Sequence, residues 1–163
     1  MKLQCEHRIE LPAETFWELL HDPRYEALVA EAASLDAYRE LERRDEPDAD
    51  YPRIEARPRL PESLSALLRR IARNAASASY VEEQWRSRTR MEVRWRMRPS
   101  VLTDRSRIEG VVRVEPRGAK RCARVLDGVV EIDLFGVGRL VERAVVAATI
   151  DAYAKGAAVA SRM

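Results

Sequence analysis

The chain contains two histidines, His7 and His21, the side chains best suited to acid–base chemistry near neutral pH. His7 alternates with apolar residues in a run typical of a half-buried strand, so its ring is expected on the inward face. There it is either a polar contact or base for a ligand, or a core histidine with an internal hydrogen-bond partner, which is the commoner arrangement. His21 lies where a helix ends and is predicted to be a solvated cap.

The sequence has no motif for nucleophilic, metal or phosphate chemistry. It lacks a GxSxG elbow, a cluster of metal-ligating side chains, and the GxxxxGK[ST] and GxGxxG loops. Cys5 and Cys122 have no metal-binding or redox spacing and are expected to be small buried side chains. Gly136 and Gly138 precede a helix and suit a tight turn better than a phosphate site. We therefore predict no catalytic residue, no cofactor and no metal.

Aromatic, methionine and arginine side chains are better candidates for ligand contacts. Trp95 is in phase with Met91 and Met97, and such residues form an adaptable apolar wall. Trp85 is a second aromatic candidate for the same interior. Arg124 falls in the inward phase of the last strand, where a guanidinium suits a carboxylate or phosphate group. A β-bulge before it would instead turn Arg124 outward.

The net charge of +2 is unevenly distributed along the chain. Residues 1–51 carry 6 basic and 14 acidic side chains, whereas residues 52–124 carry 19 basic and 8 acidic ones, a local charge of +11. Such a segment can indicate an anionic partner. However, its arginines alternate with apolar residues and lack interleaved aromatics for stacking on single-stranded nucleic acid. We therefore predict a solvated strand face, with Arg94, Arg96 and Arg98 exposed, and no nucleic-acid partner.

The periodicity of apolar residues predicts an α+β fold in one domain over residues 1–163. The predicted order is a strand, two short helices, two strands, an inserted helix before the fourth strand, further strands and a long helix over about residues 137–161. Each strand is expected to have one apolar and one charged face, as in an antiparallel sheet solvated on one side. We therefore predict a curved antiparallel sheet of about six or seven strands wrapped around the C-terminal helix.

The interior of this predicted fold is short of bulky side chains. After Leu140, the inward residues of the C-terminal helix are mostly alanines such as Ala144 and Ala148. Against a concave sheet, such a helix leaves space that another element or a ligand must fill. The predicted ligand-binding residues are His7, Trp85, Met91, Trp95, Met97, Val112, Arg124, Val130, Leu140, Ala144 and Ala148.

The inserted helix is predicted to act as a lid over this space. Its apolar side consists of Leu64, Leu67, Leu68 and Ile71, and arginines lie beside them, as in helices that settle on anionic bilayers. Residues 74–79 are small and polar and are predicted to form its hinge. We therefore expect the helix to gate the cavity, with transient membrane contact as a second possible role.

Two long segments resemble the START-like, or SRPBCC, superfamily, which includes polyketide cyclases, the birch-pollen allergen and lipid-transfer domains. CEHRIELPAETFWELLHDPRY resembles its first strand, helix and Asp-Pro kink, and DGVVEIDLFGVGRLVERAVV resembles its last strand, turn and long helix. The middle segment LPESLSALLRRIARNAASASYVEEQWR departs from the commonest members by its inserted helix, similar to one bacterial branch. The resemblance covers nearly the whole chain and implies a single START-like domain with the helix-grip fold. It also implies a cavity between sheet and helix for an apolar molecule, but no catalytic residues, because the superfamily shares none.

These expectations favour the binding or transport of a hydrophobic small molecule or lipid without catalysis. A polyketide cyclase/dehydratase-type enzyme that uses the same cavity, with His7 or Arg124 as polar groups, is the first alternative. A ligand-free regulatory interaction module is the second. We expect a cytoplasmic protein, since the sequence shows neither an apolar signal sequence nor an apolar run long enough to span a bilayer. The ligand and the oligomeric state remain open at this point.

Overall fold

A computed structural model of the chain describes residues 1–74 and 77–163, and its elements follow the predicted order. The strands are β1 (Lys2–Ile9), β2 (Leu35–Asp45), β3 (Ala49–Pro58), β4 (Tyr80–Ser87), β5 (Glu92–Pro99), β6 (Ser106–Pro116) and β7 (Cys122–Ile132). The helices are α1 (Ala13–Leu19), α2 (Pro23–Ala32), α3 (Glu62–Ile71) and α4 (Gly138–Ala160). The predicted α+β architecture, with α3 as the inserted helix, is confirmed.

All seven strands form one antiparallel sheet in the order β1-β7-β6-β5-β4-β3-β2. The first strand therefore pairs with the last, and the charged strand β2 forms the opposite edge. Register shifts between Leu35 and Ala37 and between Glu40 and Glu42 interrupt the ladder of β2 with β3. Such irregularities bend a strand, and charges on an edge discourage pairing with another chain.

The core is concentrated in the half of the sheet that α4 covers. α4 packs against β1, β7 and α2, and its buried residue Val141 joins a cluster with Leu3 and Leu126. A second cluster contains Phe16 and Tyr25 and lies nearer the C-terminal end of α4. Because α4 is offset toward β1 and β7, the part of the sheet formed by β3 to β5 lacks close helix packing from it.

The outer face of the sheet is solvated, as the alternation predicts. Arg94, Arg96 and Arg98 are exposed, which confirms that part of the sequence analysis. Arg96 donates to Glu109 over 3.3 Å, and Arg98 donates to Glu83 over 3.1 Å. The pair of Arg96 with Glu109 is exposed enough to contribute only about 0–1 kcal/mol to stability, whereas the Glu83 carboxylate that Arg98 contacts is buried.

Trp95 lies against the sheet where two glycines pair across neighbouring strands. Gly110 of β6 is opposite Gly128 of β7. A β-carbon added at Gly110 would be 3.0 Å from Cζ2 of Trp95 and 2.6 Å from the carbonyl oxygen of Asp127. The indole thus occupies the space that a side chain at position 110 would need, which fixes its orientation on the inner face.

Candidate functional site

A cavity of about 810 Å³ lies between the sheet and α4. Trp95 and Met97 of β5 and Val112 of β6 form part of its sheet side, and Ala144 and Ala148 form part of its helix side. The space exists because α4 presents methyl groups where larger side chains would fill it. Its volume is within the range of about 300–1,000 Å³ that is usual for small-molecule sites.

The cavity opens to solvent beside α3. Its exposed lining residues fall into two groups, with Ser34, Tyr38, Arg59, Pro61 and Ser63 on one side and Ala147, Ala148 and Asp151 of α4 on the other. The first group comes from β2, from the segments that follow α2 and β3, and from the first turn of α3. The entrance therefore lies between α4 and the start of α3.

α3 is docked on the body by its apolar side. Leu64 and Leu68 are buried, line the cavity and belong to the same core cluster as Trp95. Leu67 and Ile71 are partly buried against that cluster and do not line the cavity. Residues 75–76 of the predicted hinge lie outside the described residues. The four predicted lid residues are thus on one side of a helix that borders the entrance.

Five of the predicted ligand contacts do not line the cavity: Trp85, Met91, His7, Val130 and Leu140. Trp85 is on the outer face of β4, with its ring centroid 5.1 Å from that of Tyr51. Met91 precedes β5 and packs against the cluster around Phe16. His7 lies opposite Arg124 in the pairing of β1 with β7, and its buried Nδ1 has no hydrogen-bond partner among the described residues. Burial and then the Arg124 charge lower the pKa of His7, which favours the neutral ring.

Val130 and Leu140 were also predicted to form the cavity wall, and neither does. Val130 is fully buried in the core and makes no part of the lining. Leu140 is 55% exposed, because the neighbouring Val141 takes the inward position at the start of α4. Successive helix residues point about 100° apart, so an error of one residue in the inward phase moves a side chain from core to solvent.

The cavity face of β4 is polar, contrary to the expectation of one apolar face for each strand. Tyr80, Glu82, Gln84 and Arg86 alternate along this face and line the cavity. The sequence YVEEQWRS has polar residues in both phases of the alternation, and this departure from a one-sided pattern is the sequence signal for a strand with a polar inner face.

These side chains form a continuous hydrogen-bonded row with α2, here termed the β4 polar chain: Glu26, Arg86, Gln84 and Glu82. Arg86 Nη2 donates to Glu26 Oε1 over 2.7 Å, and Arg86 Nε donates to Gln84 Oε1 over 2.8 Å. Gln84 Nε2 then donates to Glu82 Oε1 over 2.5 Å. Arg86 is only 6% exposed, so its charge is balanced within the protein by Glu26.

Burial sets the protonation of the groups that face the cavity. It raises the pKa of Glu82, while the Gln84 hydrogen bond and the Arg86 charge act in the opposite direction. Burial, reinforced by the nearby Glu82, also raises the pKa values of Tyr80 and Tyr153. Burial therefore shifts all three side chains toward their neutral, hydroxyl-bearing forms.

His21 belongs to the cavity wall, so the prediction of a solvated cap is wrong. Both ring nitrogens are buried and have no hydrogen-bond partner in the part of the chain that the structure describes. The ring packs edge-on against Trp17, with 4.5 Å between ring centroids. Burial and the charges of Arg86 and Arg43 lower the pKa of His21 to about 4. The imidazole is thus neutral near pH 7.

Arg124 points inward, with no bulge in the register of β7 with β1. It is 5% exposed and lines the cavity, and its Nη2 donates to the carbonyl oxygen of Tyr153 on α4. The guanidinium carbon is 4.7 Å from the centroid of the Tyr153 ring. Gly156 allows this approach, since a β-carbon there would be 3.2 Å from Arg124 Nη1. Arg124 therefore joins the sheet to α4 at the cavity wall.

Residues 4–163 match the family described as "Protein of unknown function (DUF2505)". The chain belongs to the DUF2505 family. No curated protein matches its sequence.

Solved structures show that this DUF2505 chain has a START-like fold. The Zhui aromatase/cyclase from Streptomyces sp. R1128 matches with a TM-score of 0.68 at 13% sequence identity, over 99% of this chain and 94% of that one. A START superfamily protein from Mycobacterium smegmatis matches with a TM-score of 0.63 at 14% identity, over 95% and 92%. Norcoclaurine synthase from Thalictrum flavum, in complex with dopamine and hydroxybenzaldehyde, matches with a TM-score of 0.64 at 12% identity, over 96% and 83%. The START-like resemblance and the helix-grip fold are confirmed.

The DUF2505 cavity therefore combines apolar walls with a few hydrogen-bonding groups. Within residues 1–74 and 77–163, no three His, Cys, Asp or Glu side chains are grouped closely enough to hold a metal ion. No helix of the same residues is both long and apolar enough to cross a bilayer. The arrangement suits the enclosure of an apolar molecule that carries a small number of polar atoms.

Proposed function

We propose that this protein binds a hydrophobic small molecule or lipid in the cavity between the sheet and α4. The observation that carries the proposal is the cavity of about 810 Å³, which is walled by Trp95, Met97 and alanines of α4. Protein interiors are normally packed without such volumes, because unfilled space forfeits dispersion contacts. The norcoclaurine synthase of the same fold was solved with two small aromatic molecules, which supports this use of the fold.

The lid role of α3 is a second part of the proposal. A helix of 10 residues is too short to be stable in isolation, so α3 depends on the contacts of Leu64 and Leu68 with the body. These contacts border the entrance, and their release widens it. Arg69 and Arg70 are exposed beside the apolar side, which suits a transient contact with an anionic membrane during transfer.

A cyclase-type enzyme is the second candidate function. The specific observation that favours it is the Glu82 carboxyl, which faces the cavity and has a raised pKa, as a general acid requires. The aromatase/cyclase of the same fold adds an associational argument. Mass spectrometry of a bound molecule before and after incubation separates the two candidates, because a carrier releases it unchanged.

A double substitution that fills the cavity tests the main proposal. We expect Ala144→Trp/Ala148→Trp to weaken the binding of the neutral fluorophore N-phenyl-1-naphthylamine at least about ten-fold, since two indoles take up the space at the helix side. Fluorescence titration measures this, with native mass spectrometry of the purified wild type to detect a co-purified ligand.

The matched control is Ala154→Trp/Ala158→Trp, which has the same spacing on α4 at exposed positions away from the cavity. This control should bind like the wild type. Equal binding by all three proteins would place the fluorophore elsewhere and contradict the proposed site.

Hydrogen exchange tests the lid. We expect the amides of α3 to exchange quickly in the free protein and several-fold more slowly with an apolar ligand or anionic vesicles, because occupation of the cavity adds contacts to Leu64 and Leu68. The amides of β6, in the middle of the sheet, serve as the internal control. Slow exchange in α3 that no ligand or vesicle alters would make it a fixed wall.

A further inference from the structure

The β4 polar chain has a defined direction of hydrogen bonding. An arginine side chain can only donate, so the atom of Gln84 that faces Arg86 must be its carbonyl oxygen Oε1. The amide nitrogen Nε2 of Gln84 consequently faces Glu82 and donates to Oε1 of that carboxyl group. The usual ambiguity in the orientation of an amide is thus removed by the buried guanidinium.

This direction decides where a proton on Glu82 resides. Because Oε1 accepts from Gln84, a protonated Glu82 carries its hydrogen on Oε2. Oε2 has no hydrogen-bond partner in residues 1–74 and 77–163, and the side chain lines the cavity. Its nearest strand neighbours are Met97 on β5 and Ile54 on β3, which are apolar. A protonated Glu82 therefore presents a hydroxyl donor between apolar strand neighbours, in addition to the Tyr80 and Tyr153 hydroxyls and the Nε1 of Trp95, unpartnered among the described residues, that also line the cavity.

The charged groups around the cavity disfavour an anionic ligand at this end. Glu26 is a carboxylate within the β4 polar chain, and its partner Arg86 is already engaged by Glu26 and Gln84. Burial raises the pKa of Glu82, with Arg86 lowering it and Glu26 raising it. The other titratable side chains that line the cavity are His21, Tyr25, Tyr38, Arg59, Tyr80, Arg124, Asp151, Tyr153 and Lys155, of which Arg59 and Asp151 are exposed at the entrance.

We infer that Glu82 is the recognition group for the polar end of the ligand, and that the ligand is a neutral apolar molecule with a hydrogen-bond-accepting oxygen such as a ketone. Glu82 donates Oε2–H to that oxygen while Gln84, Arg86 and Glu26 hold the carboxyl in place. The inference rests on the proposed function and adds the chemical class of the ligand. A buried hydrogen-bond donor also discriminates between ligands with and without an acceptor, because a ligand without an acceptor leaves the donor unsatisfied.

Two probes of nearly the same shape, benzophenone and diphenylmethane, test the inference. The wild type should bind the ketone about ten-fold more tightly than the hydrocarbon, a ratio typical of one satisfied buried hydrogen bond. The carbonyl stretch of bound benzophenone should move to lower wavenumber, as expected for a hydrogen-bonded ketone. Glu82→Leu should bind both probes equally and lose the infrared shift.

Glu82→Gln tests whether the preference for the ketone comes from a hydrogen-bond donor at position 82 or only from the shape of the side chain there. Its side-chain oxygen accepts from Gln84 and its N–H group points into the cavity, so the preference for the ketone should survive. The preference of the wild type should fall as the pH rises through the raised pKa of Glu82, whereas that of Glu82→Gln should stay constant. Glu55→Gln, on the outer face of β3, is the matched control and should behave like the wild type.

The possible results distinguish the two proposals. If neither probe binds, the proposed function fails and this inference fails with it. If both bind equally to the wild type, or if the carboxylate diphenylacetate binds more tightly than benzophenone, the cavity is a binding site but Glu82 is not its donor for a neutral acceptor.

Discussion

Replacement of Glu26 by leucine should lower the free energy of unfolding by about 3–5 kcal/mol, the usual effect of leaving a buried charge without its partner. Arg86 is 6% exposed, and Glu26 is the carboxylate that balances it at 2.7 Å. Once Glu26 is removed, the guanidinium retains only the Gln84 oxygen among the hydrogen bonds of the β4 polar chain. Urea denaturation followed by circular dichroism measures the loss.

A double-mutant cycle is the control for this prediction. Glu26→Leu/Arg86→Met removes both charges and should regain most of the lost stability, because no unpaired buried ion remains. The exposed pair of Arg39 with Glu55 provides a matched comparison, and Glu55→Gln should change the free energy of unfolding by less than about 1 kcal/mol. Similar losses in Glu26→Leu and in the double variant would mean that packing, and not the ion pair, is responsible.

The fold was predictable because the local spacing of apolar residues indicates each strand and helix. β5 alternates Val93, Trp95 and Met97 with exposed arginines, and such a pattern defines both the strand and its faces. The alanines of α4 likewise predicted unfilled space, since the size of a helix residue does not depend on the fold. Local signals of this kind need no knowledge of distant contacts.

The site was only partly predictable because it depends on contacts that periodicity does not encode. β4 has polar side chains in both phases, so no rule of alternation selects Glu82 over Glu83 as the cavity residue. That choice is made by the pairing of β4 with β3 and β5. The partner of Arg86 is Glu26, which is 60 residues away in the sequence. The predictions that Trp85 and Leu140 line the cavity were wrong for the same reason, because each depended on knowing which residues of the strand or helix face inward.

Trp95→Ala should lower the free energy of unfolding by about 3 kcal/mol, the lower end of the range for removing a buried aromatic side chain. The indole is 4% exposed and packs over Gly110 on one side, so those contacts are lost with it. Its other side lines the cavity, where few contacts exist to lose. The cost should therefore stay below that of an aromatic side chain packed on all sides.

The response of this variant to ligand discriminates an open cavity from a solid core. A neutral apolar probe at saturating concentration should raise the unfolding temperature of the wild type and of Trp95→Ala, because binding to the native state stabilises it by mass action. Trp85→Ala, on the outer face, should leave the ligand-induced rise at its wild-type size. A loss above about 5 kcal/mol in Trp95→Ala, together with no rise in unfolding temperature for any apolar probe, is the behaviour of a fully packed interior. That result would contradict the cavity as a binding site, since the same indole forms part of its wall.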